Sequence, residues 1–219
     1  MTSLSSICCI AVDGRSDSTN RVDLLCNLAS KMRHLMNMGD AVILSAKPPS
    51  KDYPGVRVIL INALNYNEYS MVAFNQLHRF TDKEHLMVFQ DDGFITRPDL
   101  WTDEFLQYDY IGAPWSHSYS WSGPDRDVGN GGFSIRSRRL SEMCSALPFI
   151  NGAHEDGLIC YHYRDYLISN GIRFAPLSLA YRFSIENPFD SNHSIENTFG
   201  FHGKQHVEMG MKMLFRKEV

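Results

Sequence analysis

The sequence predicts an α/β protein built as one domain, a mostly parallel sheet with flanking helices. Three observations carry that prediction. Short apolar, β-branched runs recur at 6–12, 41–46, 56–61 and 85–89, each of strand length and bounded by turn residues. Stretches of helical period at 20–36 and 66–80 are interleaved with them, the alternation that produces parallel strands joined by crossover helices. The runs are continuous rather than alternating, as in sheets buried on both faces. With 219 residues and no stretch that reads as a linker, one domain is the simplest organisation. Residues 1–95 would form its first half and 96–219 its second.

Ser6 to Val12, ending in Asp13-Gly14, reads as a first buried strand and its turn. Asn20, with Asp23 three residues on, can cap a helix in which Leu24, Leu25, Leu28, Met32, Leu35 and Met36 recur at helical spacing, closed by Gly39. Ala41 to Ala46 is a second strand, Lys47 to Gly55 a Pro-rich loop and Val56 to Ile61 a third strand; an amphipathic segment from Tyr66 to Phe80 leads into the fourth. That fourth strand ends in Gln90-Asp91-Asp92-Gly93. Ligands of open α/β sheets sit beyond the carboxyl ends of the strands, where paired carboxylates suit a divalent cation; a solvated acidic turn is the plainer reading.

Past this point the pattern changes. Pro98 to Leu106 reads as a short helix, and Tyr108 to Trp115 as a strand entering a rigid turn. The polar stretch 116–128, with Trp115 beside it and Trp121 within it, reads as a binding loop. Gly129-Asn130-Gly131-Gly132 precedes an apolar strand start at Phe133, and three glycines in four residues signal a close approach to the backbone. His154-Glu155-Asp156 opens a helical segment with Leu158, Ile159, His162 and Leu167 on one side, ended by Asn170-Gly171.

The formal net charge is −4, and the one cationic cluster is Arg136-Ser137-Arg138-Arg139, a poor electrostatic footprint for nucleic acid. The five cysteines (Cys8, Cys9, Cys26, Cys144, Cys160) are odd in number, sit mostly in apolar segments and form no Cys-x-x-Cys pair. They read as small buried hydrophobes in a reducing compartment, not as a zinc ribbon or redox motif. Ile7 to Val12 is too short for a signal-peptide core and has no basic residue before it, and no apolar stretch reaches membrane-spanning length. A cytoplasmic protein is expected.

Six short motifs, in order, carry a resemblance: Tyr108 to Trp115 (YDYIGAPW), Gly129 to Arg138 (GNGGFSIRSR), His154 to Asp156 (HED), Phe174 to Pro176 (FAP), Phe183 to Glu186 (FSIE) and Phe199 to His202 (FGFH). With the acidic strand end before them, they resemble the GT-A class of nucleotide-sugar-dependent glycosyltransferases, and more closely the GT-A-like family known as DUF5672. The likeness runs from about residue 60 to 203. It implies a GT-A-like, Rossmann-related fold and a metal-dependent, inverting transfer of a sugar from a nucleoside diphosphate sugar, a UDP-sugar for preference. The acceptor would be a hydroxyl group, a surface glycan for preference.

The site residues follow from that resemblance. Asp92 and His202 would hold Mn²⁺ or Mg²⁺, the imidazole favouring Mn²⁺. Gln90 stands where a strict DxD motif has its first acid, which leaves the number of carboxylate ligands open; Asp91 either meets the nucleotide ribose or binds the ion through water. Asp156 would be the general base, with Glu155 touching the acceptor or donor sugar. Gly131 and Gly132 would let the donor sugar lie against the backbone, and Trp115 or Trp121 would stack on a sugar face. Asp13 and Arg15 would contact the nucleotide, and Tyr66 and Asn67 its base or ribose. Three other readings stand beside this one: a non-catalytic carbohydrate- or nucleotide-sugar-binding protein of the same fold, a transferase acting on a modified nucleic-acid base, and a two-metal phosphotransferase or nuclease, for which the glycines and His202 would have no role.

Overall fold

The structure is a computed structural model that describes residues 4–17, 19–115 and 126–215. Its first strand, β1 (Ile7–Asp13), is buried along its whole length, and the period of a strand sends successive side chains to opposite faces. Cys9 and Ala11 pack with Leu25, Leu28 and Met32 of helix α1 (Asn20–Met36). Cys8, Ile10 and Val12 pack on the other face, with Val72 and Leu77. The continuous apolar run is thus a strand covered on both sides, as expected of it.

Strands β2 (Asp40–Ser45) and β3 (Arg57–Leu60), helix α2 (Tyr66–Asn75) and strand β4 (His85–Val88) complete the first half. Strands β5 (Tyr110–Ile111) and β6 (Ser134–Ser137) extend the sheet, which has six strands in the order β3-β2-β1-β4-β6-β5. The first four are parallel, and β6 runs antiparallel between β4 and β5. That reversal positions the site. Val88 pairs with Ser134, so the residues that follow β4 run alongside those that precede β6, bringing Gln90–Gly93 next to Gly131-Gly132.

Helix α3 (Arg138–Ser145) follows, then the single turn α4 (Glu155–Gly157), a π-turn at Leu158–His162 and helix α5 (Arg164–Ser169). Beyond helix α6 (Leu177–Phe183), strands β7 (Ser184–Ile185) and β8 (Gly200–Phe201) pair in parallel, and helix α7 (Val207–Leu214) closes the described chain. A second core gathers Phe74, Tyr110, Trp115, Leu140, Leu158 and Leu167. Among the described residues no helix is long and apolar enough to cross a membrane.

Local expectations are corrected at several points. Asn20 and Asp23 do not cap α1: its N-cap is Thr19, without a side-chain bond, and Asp23 accepts instead from the Ser50 N–H at 2.8 Å. The helix stops at Asn37 in the left-handed conformation (φ 48°) rather than at Gly39. The expected 66–80 helix ends at Asn75 and tightens to a 3₁₀ turn at Leu77–Phe80. The 98–106 helix is two 3₁₀ turns, Pro98–Leu100 and Asp103–Gln107, separated by extended Trp101 and Thr102. All five cysteines are free and buried; burial pushes the thiols of Cys8 and Cys144 up to about 12 and that of Cys26 to about 11, which keeps them protonated and unreactive near neutrality.

Asn37 offers a test of the helix stop. Asn37→Ala should be less stable than Asn37→Gly by about 1–2 kcal/mol in urea denaturation, the cost of holding a Cβ-bearing residue left-handed.

Candidate active site

The site begins at the end of β4. The chain reverses there within four residues: the Gln90 N–H donates to Gly93 O at 2.9 Å and the Gly93 N–H returns to Gln90 O at 3.2 Å. Asp91 and Asp92 occupy the tip of this turn, and they serve different partners.

Asp91 belongs to a three-residue clamp. Arg21, in the first turn of α1, donates Nε to Asp91 Oδ2 at 2.9 Å and Nη2 to Asp91 Oδ1 at 2.7 Å, while its Nη1 donates to Asp13 Oδ1 at 2.7 Å. One guanidinium therefore ties the carboxyl ends of β1 and β4 together. Burial raises the Asp91 carboxyl, but the Arg21 hydrogen bonds and charge outweigh it and leave the pKa below the ordinary range. Burial likewise opposes the Arg21 charge, and Asp91 and Asp13 more than compensate, so its pKa is raised. Arg15 stands beside them, 57% exposed, with Nη2 3.7 Å from Asp91 Oδ2. Sequence reading missed Arg21; the available signal was a basic residue in a helical first turn, where the macrodipole disfavours positive charge.

Asp92 faces the opposite way. Its carbonyl accepts from the Gly203 N–H at 2.7 Å, and its Oδ1 lies 3.7 Å from Nε2 of His202. On the other edge of that imidazole, Nδ1 lies 3.5 Å from Oε1 of Glu186, a residue sequence reading also missed. Burial lowers the His202 pKa, and the flanking Glu186 and Asp92 outweigh it, so the ring titrates above its ordinary value. The glycines make room for these groups: a Cβ on Gly132 would fall 2.1 Å from His202 Nε2, and one on Gly131 would fall 2.1 Å from Glu155 Oε1. The close approach that the glycine run signalled is made by the protein's own His202 and Glu155.

The acidic pair also divides. Glu155 is buried and pairs at 3.5 Å with Arg136, which is itself 2% exposed and donates to Ala73 O at 2.7 Å, to Ser134 Oγ at 3.1 Å and to Gly131 O at 3.3 Å. Burial first and the neighbouring Asp156 charge second raise the Glu155 pKa; Arg136 acts against them without cancelling them. Asp156 accepts from the Gly131 N–H at 3.1 Å and from the Gly157 N–H at 2.8 Å, and lines the cleft.

That cleft has a volume of about 960 Å³. It collects Arg15, Tyr66, Trp115, Gly131, Gly132, Glu155, Asp156 and His202 from the expected residues, together with Arg21, Glu186 and Tyr161, which were not expected. Gln90 also lines it, its amide donating to the Tyr69 hydroxyl at 2.6 Å. Asp13 and Asp91 are joined to the cleft through Arg21. The Tyr66 hydroxyl meets His154 Nδ1, whereas the Asn67 side chain is engaged by the Gly152 N–H at 2.9 Å. Trp115 is only 4% exposed, and a Cβ on Gly129 would fall 1.9 Å from its indole; it is packed in the second core and still lines the cleft. Trp121 lies outside the described residues. The exposed tyrosine rings of the cleft are Tyr66 and Tyr161, at 54% and 43%, and the rings of His154 and His162 are exposed beside them.

For a divalent cation, Asp92 Oδ1 and His202 Nε2 are the fitting donors, because 3.7 Å is a separation that one ion about 2.1 Å from each can bridge. Among the described residues no group of three His, Cys, Asp or Glu side chains could hold a metal by itself. The pair suits an ion whose remaining positions are filled by substrate phosphate and water, as is common for such metals at phosphate sites.

Residues 60–202 match the model of a family described as "Protein of unknown function (DUF5672)". No curated protein matches the sequence. Among solved structures, the chain is similar to a glycosyltransferase involved in the glycosylation of the major capsid of PBCV-1, at 11% identity and a TM-score of 0.57, covering 94% of this chain and 98% of that one. It is also similar to the bifunctional IspDF of Campylobacter jejuni, at 13% identity and a TM-score of 0.49, covering 77% of this chain and 48% of that one. The first likeness shows the fold, a Rossmann-like, mostly parallel sheet with flanking helices in a single domain.

The clamp has a measurable pH signature. Because Asp91 has a lower pKa folded than unfolded, its contribution is complete above the ordinary aspartate value near 3.9 and is lost as pH falls through the folded value. Replacing Arg21 by Gln should cost about 2–3 kcal/mol in neutral-pH denaturation. The gap from wild type should shrink as pH falls, because the Asp91 carboxylate left without its counter-charge then takes up a proton.

Proposed function

The chain belongs to the DUF5672 family, and from that premise we propose that it is an inverting glycosyltransferase of GT-A architecture, moving a sugar from a nucleoside diphosphate donor to a hydroxyl acceptor. One observation carries the reading: a single cleft at the carboxyl ends of β1 and β4 brings together Arg15 and Arg21, the His202 that faces Asp92, and the backbone-held carboxylate of Asp156. These are the groups that a diphosphate leaving group and an activated hydroxyl require.

On the donor side, Arg15 and Arg21 offer guanidinium charge to the diphosphate, and residues 1–95 supply the nucleotide-facing wall. Asp92 and His202 would hold Mn²⁺ or Mg²⁺, which supplies stabilisation of the negative charge developing on the departing phosphate. On the acceptor side, Asp156 takes the proton of the attacking hydroxyl as its oxygen bonds to the anomeric carbon and the bond to the diphosphate oxygen breaks. Attack from the face opposite the leaving group inverts that carbon. Two N–H donors orient the carboxylate and leave it acceptor capacity for this proton. Glu155, buried against Arg136, is the weaker candidate for the base.

The acceptor side fits a glycan. Its exposed Tyr161 ring suits the apolar face of a sugar; Arg126 lies 5.3 Å from that ring, and the cleft-lining arginines among the described residues, Arg15 and Arg21, are on the donor side. A nucleic-acid acceptor would call for a row of cations along this wall. A UDP-sugar is the first donor to try.

The test is calorimetry and turnover with UDP-, GDP- and dTDP-sugars in the presence of Mn²⁺. The expected result is binding and slow hydrolysis of one donor class, with Asp156→Asn reducing kcat about 10²–10⁴-fold while donor affinity is retained. Failure to bind any nucleotide sugar would sink the reading; binding without turnover by the wild type would make the protein a nucleotide-sugar-binding module of the same fold.

A further inference from the structure

The imidazole of His202 lies between two carboxylates that come from different parts of the chain, and the second of these has no part in the mechanism above. Glu186 immediately follows β7 and His202 immediately follows β8; Ile185 and Phe201 are register partners, so the two residues leave a parallel pair side by side. Their backbones are fixed. The His202 N–H donates to Ile185 O at 2.8 Å, and the Glu186 carbonyl accepts from Gln205 Nε2 at 2.7 Å and from His206 Nε2 at 2.9 Å. The ring itself lies against Gly132 and Gly93, with His202 atoms 2.1 Å and 2.9 Å from where their Cβ atoms would stand.

In this fixed ring the two nitrogens have different surroundings. Nδ1 is buried and makes no hydrogen bond shorter than its 3.5 Å approach to Glu186 Oε1. A buried polar nitrogen without a partner is costly, and an ionised carboxylate only accepts, so the pairing that relieves the cost places a proton on Nδ1, directed at Glu186. Nε2 then carries the lone pair, 3.7 Å from Asp92 Oδ1. While the ring is neutral, these two acceptors facing each other repel unless a metal cation lies between them.

We propose that Glu186 is a positioning residue which holds His202 as the Nδ1–H tautomer and so presents the Nε2 lone pair, together with Asp92, to a divalent cation. This inference rests on the metal-dependent reading given above. A carboxylate behind a metal-bound histidine fixes its tautomer and raises its basicity, and its loss commonly weakens metal binding 10–100-fold. Glu186 thereby acts through His202, not on the sugar.

Two measurements on the full chain test it. Nitrogen-15 correlation spectra of the metal-free protein, recorded where His202 is neutral, should show its ring proton on Nδ1 in the wild type and on Nε2 in Glu186→Ala. Calorimetry with Mn²⁺ alone should show affinity reduced about 10–100-fold in Glu186→Ala and reduced less in Glu186→Gln, whose amide oxygen can still accept from Nδ1. An Nε2–H tautomer in the wild type overturns the proposal, as does unchanged Mn²⁺ affinity in both variants. If the wild type binds no Mn²⁺ at all, the metal reading falls separately and the tautomer decides the role of Glu186. Should Glu186→Ala not fold, the wild-type spectrum and Glu186→Gln give the same decision.

Discussion

Arg21 is the constraint on which the arrangement depends. A parallel sheet that ends two neighbouring strands in acid places Asp13 and Asp91 at one edge, with Asp13 almost fully buried. Two carboxylates taken out of water side by side would be strongly destabilising unless paired. Arg21 reaches both from the first turn of α1, so the crossover helix that packs β1 against β2 also neutralises the sheet edge. With Asp91 held on this side, the four-residue turn presents Asp92 to the other, where its carbonyl takes the Gly203 N–H. The late segment carrying His202 is therefore registered against the same turn that Arg21 fixes.

The second half of the site repeats the device with different parts. Arg136 leaves β6 into a fully buried position, lies 5.7 Å from the Tyr110 ring and spends its donors on two carbonyls, a serine hydroxyl and Glu155. Its bond to Gly131 O and the Gly131 N–H bond to Asp156 fix the glycine run from both sides. A buried cation here is weak grounds for stability. Its structural consequence is positional, because the same guanidinium sets the loop that orients Asp156.

The parallel half of the sheet was legible because each strand is buried on both faces and is therefore apolar along its length; β1 and β4 are plain in the sequence for that reason. The direction of β6 was not, since antiparallel entry is decided by how the chain returns from β5, over a span with no local signature. The helical segment after His154 was legible as helical, but nothing in its spacing announced the π-turn at Leu158–His162. For the site, acids and glycines were visible because they cluster, whereas Arg21 and Glu186 are single charged residues in ordinary contexts, and the Arg136 cluster gave no sign that its first arginine is the buried one. One partner of Arg21, Asp91, is 70 positions away, and no local pattern encodes such a pair. The packing of Trp115 was illegible for a related reason: it depends on Gly129, beyond the polar stretch, whose missing Cβ leaves space for the indole.

The pairing pattern sorts the acids more sharply than their spacing does. Asp13 and Asp91 share Arg21, and Glu155 has Arg136. A carboxylate held by an arginine has its lone pairs engaged, which opposes binding a metal; at Glu155 burial and the Asp156 charge still outweigh Arg136 and raise the pKa. Among the described residues no arginine or lysine pairs with Asp92 or Asp156: the first faces an imidazole, the second accepts from backbone N–H groups. Backbone donors orient a carboxylate without supplying a full counter-charge, so Asp156 keeps both its aim and its capacity to accept. Of the acids in and beside this cleft, Asp92 and Asp156 are thus the two without an arginine or lysine partner among the described residues, and the arginines that neutralise the others fix the turn and the loop that carry them.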